Sequence, residues 1–586
     1  MNKSILCLLV IFFLNPVLNA GDAGDKVRLN QIGFYPTAQK IAVITSDAEG
    51  IFYVENAKSG RRVFSGKLSD PVKSQFSDKM TRIADFSALR KPGTYTLYVP
   101  PAGNSYTFIV RKNIFRELTR GLIKNYYFQR MSTPLLQKFS GKWNRKAGHP
   151  DDKVLIHSSA VSPERPEGTV ISCPGGWYDA GDYNKYIVNS GITMGTLLSL
   201  YEDFPDFFNK LELNIPESGN KIPDLLDEIL WNLRWMLTMQ DPYDGGVYHK
   251  LTNAEFDGMI MPSECVKPRY VVQKGTGATL DLAAVMAQAS RIFSKFDKRL
   301  PGLADSCLRS ALMAWEWTMD NPKTTYNQNA NNRLYKPEIS TGAYGDNNFS
   351  DEFIWAASEL YITTEDENFI REVALFPDTL MPLPSWGNVR LLGYYTLARF
   401  GTNLSGPVKD IFPVIRKCLI SEAEKMIRGV PERAFMTVMG TSAHEFVWGS
   451  NSVAANQGIL LIQAYRLTKD KKYLGFALSN LDYLLGRNAT GYSFVTGYGD
   501  KTPMNPHHRP SEADGISDPV PGMLVGGPNP GRQDGCDYPS LITDEVYVDS
   551  VCSYASNEIA INWNAPAAYL SGALEAIMTG KKQIER

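Results

Sequence analysis

The chain has almost no net charge: 61 Lys and Arg oppose 62 Asp and Glu, leaving −1. No basic stripe stands out, so nucleic acid is excluded as a partner. Long apolar runs are also missing. After the N-terminal segment there is no stretch of about 18 or more apolar residues, so no transmembrane segment is expected. Cysteine is sparse, at seven residues, with no Cys-x-x-Cys pair and no dense framework. Export would permit disulfides, but the spacing points to free buried thiols at Cys173, Cys265, Cys307, Cys418, Cys536 and Cys552. There is no linker rich in serine, threonine or proline leading to a separate module.

What is present is length and aromatic content. At 586 residues the chain exceeds one ordinary compact domain unless a large α-barrel is involved. Its 43% apolar content is enough to bury a large core. Several of the 10 Trp and 29 Tyr sit beside Gly or Asn rather than inside apolar runs. Most such rings are core residues, but exposed ones would suit the C–H faces of carbohydrate. The N-terminus reads as an export signal over residues 1–20. Lys3 supplies the positive charge, Ile5 to Leu14 form a short apolar run, and Val17-Leu18-Asn19-Ala20 ends in a small-residue cleavage pattern. Cys7 lies inside the run, so a lipoprotein is not indicated. A secreted or periplasmic protein, monomeric and without a membrane anchor, is expected.

Residues 21–112 carry short β-rich runs, Lys40 to Thr45, Ile51 to Val54, Thr94 to Val99 and Ser105 to Val110, with a turn at Lys91-Pro92-Gly93. They predict a small β-sandwich. From about residue 113 to 586 the period becomes helical, for example Leu225, Leu226, Ile229, Leu230, Leu233 and Met236. About twelve helices are expected, paired into a barrel. They are separated by long loops at 141–178, 241–274 and 488–556, and such loops are usually functional.

Three loop clusters carry candidate chemistry. The first is Gly175-Gly176-Trp177-Tyr178-Asp179-Ala180-Gly181-Asp182-Tyr183-Asn184-Lys185-Tyr186. It sets two carboxylates three apart on a Gly-rich turn between aromatic rings. A helix starting at Tyr183 would place Asp182 at its positive end and favour an ionised general base. The bland alternative, Asp182 as a helix cap, leaves Asp179 and the rings unexplained. The second runs from Tyr547 through Asp549 and Tyr554 to Asn557-Glu558. Glu558 after an Asn N-cap could simply complement a helix dipole. As a general acid it must stay protonated, with burial and a carboxylate such as Asp549 outweighing the dipole. The third, Ser493 to Arg509, includes His507, His508 and Arg509. His507 and Arg509 could donate to sugar hydroxyls. Adjacent histidines lack the i,i+4 spacing of paired zinc ligands, so no metal is assigned there.

In these clusters the chain resembles glycoside hydrolase family 9. Asp179-Ala180-Gly181-Asp182 resembles the catalytic DAGD motif, and Ser493 to Arg509 the histidine signature. Tyr547, Asp549, Tyr554, Glu558, Asn564 and Ala565 resemble the acidic signature. Val447-Trp448-Gly449-Ser450-Asn451 is similar to a segment with a sugar-stacking tryptophan. Arg28 to Phe34, Asp85 to Leu89 and Gly93 to Leu97 resemble the immunoglobulin-like domain that precedes many family 9 catalytic domains.

The resemblance implies an immunoglobulin-like β-sandwich followed by an (α/α)6 barrel, and hydrolysis with inversion. It makes Asp182 the base, Glu558 the acid and Asp179 a holder of the attacking water, with Asp549 beside them. His507, Arg509, Trp448, Trp177 and Tyr554 become substrate-binding residues. The implied partner is a β-1,4-glucan such as cellulose, mixed-linkage glucan or xyloglucan, cut internally. The alternatives are an exo-acting oligosaccharide hydrolase and a non-catalytic binding protein. The latter would be marked by loss of an acidic residue, and none is lost. No cofactor is required. Asp351-Glu352 resembles a calcium-binding pair, although Asn347 and Asn348 replace the expected Ser-Gly. Zinc is disfavoured: His149, His157 and Cys173 are candidates, but Gly148 stands where a cysteine is expected.

Overall fold

The computed structural model describes residues 24–401 and 404–580, so the expected signal peptide lies outside the described residues. Residues 27–110 form two facing sheets. In one, Val27–Arg28, Ile41–Ile44, Met80–Asp85 and Val72–Lys73 pair in that order. In the other, Gly33–Phe34, Phe108–Val110, Gly93–Val99, Ile51–Asn56 and Arg62–Lys67 follow one another. Along Gly93–Val99 alternate side chains, Tyr95, Leu97 and Val99, are buried, as expected of a strand covered on one face. Phe34, Phe86 and Phe108 fill the space between the sheets, with ring centroids 5.3–5.6 Å apart.

The helical part follows, beginning with Arg116–Phe128. Helices Ile187–Asp203, Thr276–Phe293, Ser350–Thr364, Arg390–Arg399, Ser450–Thr468 and Ile561–Thr579 are buried along most of their length. They form the inner layer of the barrel. Leu303–Asp320 buries one stripe and exposes Asp305, Glu316 and Asp320 on the other, as an outer helix should, while Asp224–Thr238 and Lys472–Leu484 are more fully covered and expose only a few positions such as Arg234 and Lys472.

The sandwich is fastened to the barrel by buried polar contacts. Asn30 donates to Asp482 Oδ1 at 2.8 Å and Tyr35 to Glu575 Oε2 at 2.6 Å. Gln31 Nε2 donates to the carbonyl of Gly491 at 2.9 Å, while Gln31 Oε1 accepts from the backbone N–H groups of Asp500 and Lys501.

Two of the long loops are not structureless. Val170–Ile171, Val154–Ile156, Arg269–Val271, Lys250–Asn253 and Lys185–Tyr186 form a five-stranded sheet. Strands of two to four residues, with partners up to about a hundred residues away, carry too short a pattern to be read locally. This sheet also corrects a helix start. Pairing with Lys250 and Leu251 draws Lys185–Tyr186 into extended backbone, and the helix begins at Ile187. A second correction concerns the thiols: Cys536 and Cys552 form a disulfide. It closes a loop with a sequence separation of 16, a constraint worth about 3 kcal/mol in loop entropy. Cys173, Cys265, Cys307 and Cys418 are free.

Candidate active site

Backbone hydrogen bonds stitch the three sequence clusters together. Ile561 N–H donates to the carbonyl of Asp179 at 2.8 Å, His507 N–H to that of Asn557 at 2.9 Å, and Arg509 N–H to that of Gly181 at 3.2 Å. Gly181 is required by close approach rather than by a turn: a Cβ there would lie 2.1 Å from the carbonyl oxygen of His507. Glu558 pairs in extended backbone beside His507, and the last helix starts only at Ile561. Glu558 is therefore outside that helix, three residues before its first turn.

Asp179 is fully buried. Asn189, in the first turn of the helix Ile187–Asp203, donates its amide to both Asp179 oxygens at 2.9 Å, and Tyr344 OH donates at 3.2 Å. Burial, and then the charge of Asp182, push the Asp179 carboxyl well above the usual carboxylate range, with Asn189 and Tyr344 opposing. Asp182 Oδ1 accepts from Asn184 N–H at 2.7 Å, so its side chain closes a local turn and does not cap the helix. Tyr186 OH lies 3.5 Å from Asp182 Oδ2. Lys250 sits nearby, wholly buried, donating to Gln328, Thr341 and the carbonyl of Gly342. Burial drives its ammonium pKa well down, and Asp182 partly restores it.

Glu558, like Asp179, is shifted towards its protonated form. Burial of its carboxyl and then the charge of Asp182 raise its pKa well above the ordinary value; Arg509 opposes this and Asp179 adds to it. The carboxylate expected to do this, Asp549, is engaged elsewhere. It accepts from the N–H groups of Met504 and Asn505 at 2.8 Å and from Asn557 at 3.1 Å, pinning the turn before His507.

The expected substrate contacts divide. Trp177 is corrected: it is fully buried, its ring 4.5 Å from that of Tyr126, and it offers no stacking face. Arg509 is 7% exposed, with Nε donating to the carbonyl of Asp257 and Nη1 to that of Gly181. It serves as a strut and a fixed positive charge. His507 Nδ1 donates to the carbonyl of Val551 at 2.6 Å. Burial keeps the imidazole pKa low, so in the neutral ring Nε2 is an acceptor, not the expected donor. Trp448 is 43% exposed and forms a row with Tyr554 and His507, at ring separations of 5.5 and 5.9 Å.

Asn189, Tyr344, Lys250 and Trp386, whose ring meets Tyr344 at 5.3 Å, were not found by sequence reasoning. Only Asn189 gave a signal. It is an amide in the first turn of an otherwise apolar helix, ten residues after Asp179.

The metal candidates also divide. His157 bonds Ser159 and the carbonyl of Pro337, both at 2.8 Å, and Cys173 donates to the carbonyl of Thr238. His149, His157 and Cys173 do not gather, so that set does not fit zinc. Around Asp351 and Glu352 the chemistry differs. Asp351 Oδ1, Glu352 Oε2 and Asp281 Oδ1 are buried without partners. All three carboxyls are pushed upward, first by burial and then, for Asp281 and Glu352, by the charge of Asp351. An all-oxygen, anionic and under-satisfied set fits a hard divalent cation.

Both parts of the chain match known families. Residues 115–571 match the model of glycosyl hydrolase family 9, and residues 22–104 that of the cellulase N-terminal ig-like domain. The chain is 48% identical to a xyloglucan-specific endo-β-1,4-glucanase of Bacteroides ovatus, over 94% of each chain. It is 33% identical to endoglucanase D of Acetivibrio thermocellus, over 93% of this chain and 82% of that one. A solved structure described as Bacteroides ovatus GH9 superposes with a TM-score of 0.90 at 46% identity, covering 94% of this chain and 99% of the other.

Proposed function

The chain belongs to glycosyl hydrolase family 9, and on that premise we propose that it cleaves internal β-1,4 bonds of a xyloglucan-type backbone with inversion. Glu558 is the acid that protonates the departing oxygen, and Asp182 is the base that takes a proton from the attacking water. Asp179, held by Asn189 and Tyr344, orients that water. The observation that carries the reading is that backbone hydrogen bonds and bridges gather Asp179, Asp182, His507 and Glu558 at one site, where burial and then the charge of Asp182 raise the pKa of the Glu558 carboxyl. One carboxylate keeps its partner protonated until the proton is needed.

The choice of a branched substrate is supported by the printed activity of the Bacteroides ovatus relative and by the exposed face of Trp448 beside Tyr554. A stacking ring that is open to solvent can bind one glucose face and leave side branches free. Incubation with xyloglucan, mixed-linkage glucan and soluble cellulose derivatives tests this. Viscosity of xyloglucan should fall early, and NMR of fresh product should show the α-anomer first. Release of short terminal sugars alone, with viscosity unchanged, would overturn endo action. An initial β-anomer would remove Asp182 from the role of base.

Calcium at Asp281, Asp351 and Glu352 belongs to the same proposal. It would neutralise their mutual repulsion and take no part in bond cleavage. Chelation should lower the melting temperature, and added Ca²⁺ should restore it.

A further inference from the structure

We propose that the Cys536–Cys552 disulfide is a positioning lock for the wall of the cleft, setting the ring of His507 and the stacking face of Tyr554 towards the glucan. This role rests on the reading of Trp448, Tyr554 and His507 as the wall that meets substrate. Between the helices Arg509–Ala513 and Ile561–Thr579 the chain forms no further helix and no strand longer than an isolated bridge. No continuous ladder of backbone hydrogen bonds fixes this segment. Turns, side-chain contacts and one covalent bond must do so.

Two stretches of the segment are tied to each other. Gln533 to Tyr538 contains Cys536, and Val551 to Ala555 contains Cys552. Asp534 joins them: Oδ1 accepts from Cys536 N–H at 3.0 Å, while Oδ2 accepts from Tyr538 OH at 2.7 Å, Ser553 Oγ at 2.8 Å and Ala555 N–H at 2.9 Å. Tyr554 OH donates to the carbonyl of Gln533 at 2.8 Å. Asn529 closes the base, its amide donating to Gln533 Oε1 at 2.7 Å and to the carbonyl of Ala555 at 2.9 Å. Cys552 is exposed and Cys536 half-buried. Hydrogen bonds so near the surface are readily exchanged for bonds to water. The disulfide, with Cα atoms 6.1 Å apart, is a link that water cannot replace.

The residues that reach the site flank Cys552. Val551, directly before it, offers the carbonyl that accepts from His507 Nδ1 at 2.6 Å. That bond settles which ring nitrogen carries the proton and leaves Nε2 as the acceptor. Tyr554, two residues after Cys552, stands between Trp448 and His507, at ring separations of 5.5 and 5.9 Å. One covalent bond thus steadies an acceptor on one side and a stacking ring on the other. With the bond open, Val551 and Tyr554 can drift together, and both the proton position on His507 and the row of rings lose definition. Glu558 is held from elsewhere, its carbonyl accepting from Gly526 N–H at 2.9 Å. Substrate binding should therefore suffer more than bond cleavage.

The test uses the full chain, purified without reductant. Accessible free thiols are first capped with iodoacetamide, and peptide mass spectrometry should find Cys536 and Cys552 joined. Dithiothreitol then breaks the S–S bond. The dithiol supplies two electrons and two protons, both sulfurs become thiols, and the reagent closes to its own cyclic disulfide. Kinetics are measured well below the melting temperature of the reduced form. The substrate is whichever β-1,4-glucan the oxidised enzyme cleaves fastest, so a wrong choice of xyloglucan leaves the result standing. Reduction should raise KM about three- to tenfold and change kcat less than about twofold, and reoxidation should restore KM. Cys536→Ser should behave as the reduced enzyme; the reduction arm needs no variant to fold. In Trp448→Ala the row of rings is already broken, so reduction should raise KM less than in the wild type. A bond that only stabilised the chain would act equally in both. Absence of the bond in the purified protein, an unchanged KM after confirmed reduction, or an equal rise in Trp448→Ala would overturn the lock. Cleavage of no β-1,4-glucan by the oxidised enzyme would overturn the proposed function and the lock together.

Discussion

One helix, Ile187–Asp203, has buried carboxylates at both ends, and the two ends treat them in opposite ways. Asn189 and Asp203 are separated by about 21 Å along the axis. At the far end Asp203 meets Arg399 Nε at 2.6 Å and is also paired with Arg466, while Glu202 meets Arg291 at 2.8 Å and Arg399 at 3.0 Å. Burial alone would raise both carboxyls, but the arginines outweigh it and their pKa values fall. At the cleft end Asp179 and Glu558 are buried with the Asp182 carboxylate as the charge that acts on them most strongly, and their pKa values rise. Burial is common to both ends, so cation supply decides the outcome. Two ion-paired carboxylates form a permanent clamp. Carboxylates short of cations can hold and release a proton.

The largest effect should come from removing the proton donor. Glu558→Gln keeps the shape of the side chain but cannot protonate a leaving group. Polysaccharide hydrolysis should fall about 10²–10⁴-fold, with substrate binding retained. An aryl glycoside whose leaving group needs little protonation should lose much less. Equal loss on both substrates would mean that Glu558 is not the acid.

Next comes the clamp. Arg399→Met leaves Glu202 and Asp203 short of a buried partner, which should cost about 3–5 kcal/mol of stability. Denaturant unfolding measures this. The activity of the remaining folded protein should not change, because nothing at the cleft end has been touched. A stable variant with reduced kcat would show that the two ends are coupled along the helix.

A third prediction contrasts the two ends by pH. Glu558 and Asp179 bind a proton more tightly folded than unfolded. Their contribution to stability is fully present below the unfolded values of 4.5 and 3.8 and is lost as pH rises through the raised folded values. Glu202 and Asp203 do the reverse. Their contribution is present above 4.5 and 3.8 and is lost as pH falls through the lowered folded values. Asp182→Asn removes the main charge acting on Glu558, so the Glu558 carboxyl, followed by ¹³C NMR, should titrate at lower pH than in the wild type. In Arg399→Met the same signal should stay in place. An unmoved Glu558 in Asp182→Asn would leave burial as the only cause of its shift.

Only the cleft half of this contrast is legible in the sequence; Glu202, Asp203 and Arg399 carry no signal there, and the missing parts have physical reasons. The β-to-helical change of period near residue 112 was visible because it rests on local repeats. Asp179, Asp182, His507, Arg509 and Glu558 drew attention because Gly-rich loops with acidic and aromatic residues are unusual. The helices begin later than the local sequence suggests, at Ile187 and Ile561, because distant strands and bridges hold the preceding residues extended. Trp177 reads as a cleft residue because a ring beside Gly looks exposed, whereas Tyr126 from a helix some fifty residues earlier covers it. The Cys536–Cys552 pair leaves no local signal because its two positions lie in irregular chain, where spacing says nothing of proximity. Tyr344 and Trp386 come from loops that become neighbours of Asp179 only once the barrel closes.

The smallest effect should come from the cleft wall, which touches neither set of carboxylates. Trp448 is partly exposed, packs against Tyr554 and has no hydrogen bond to the acidic groups. Its contribution is apolar area removed from water when a sugar face covers the ring. A partial cover is worth roughly 1 kcal/mol at about 25 cal/mol per Å². Trp448→Ala should therefore raise KM for long xyloglucan chains about three- to tenfold, with kcat nearly unchanged, because the ring binds ground state and transition state alike. On oligosaccharides too short to reach the ring the effect should disappear. If kcat fell with KM unchanged, the ring would be acting on the transition state, and the line drawn between the cleft wall and the proton-handling carboxylates would have to be moved.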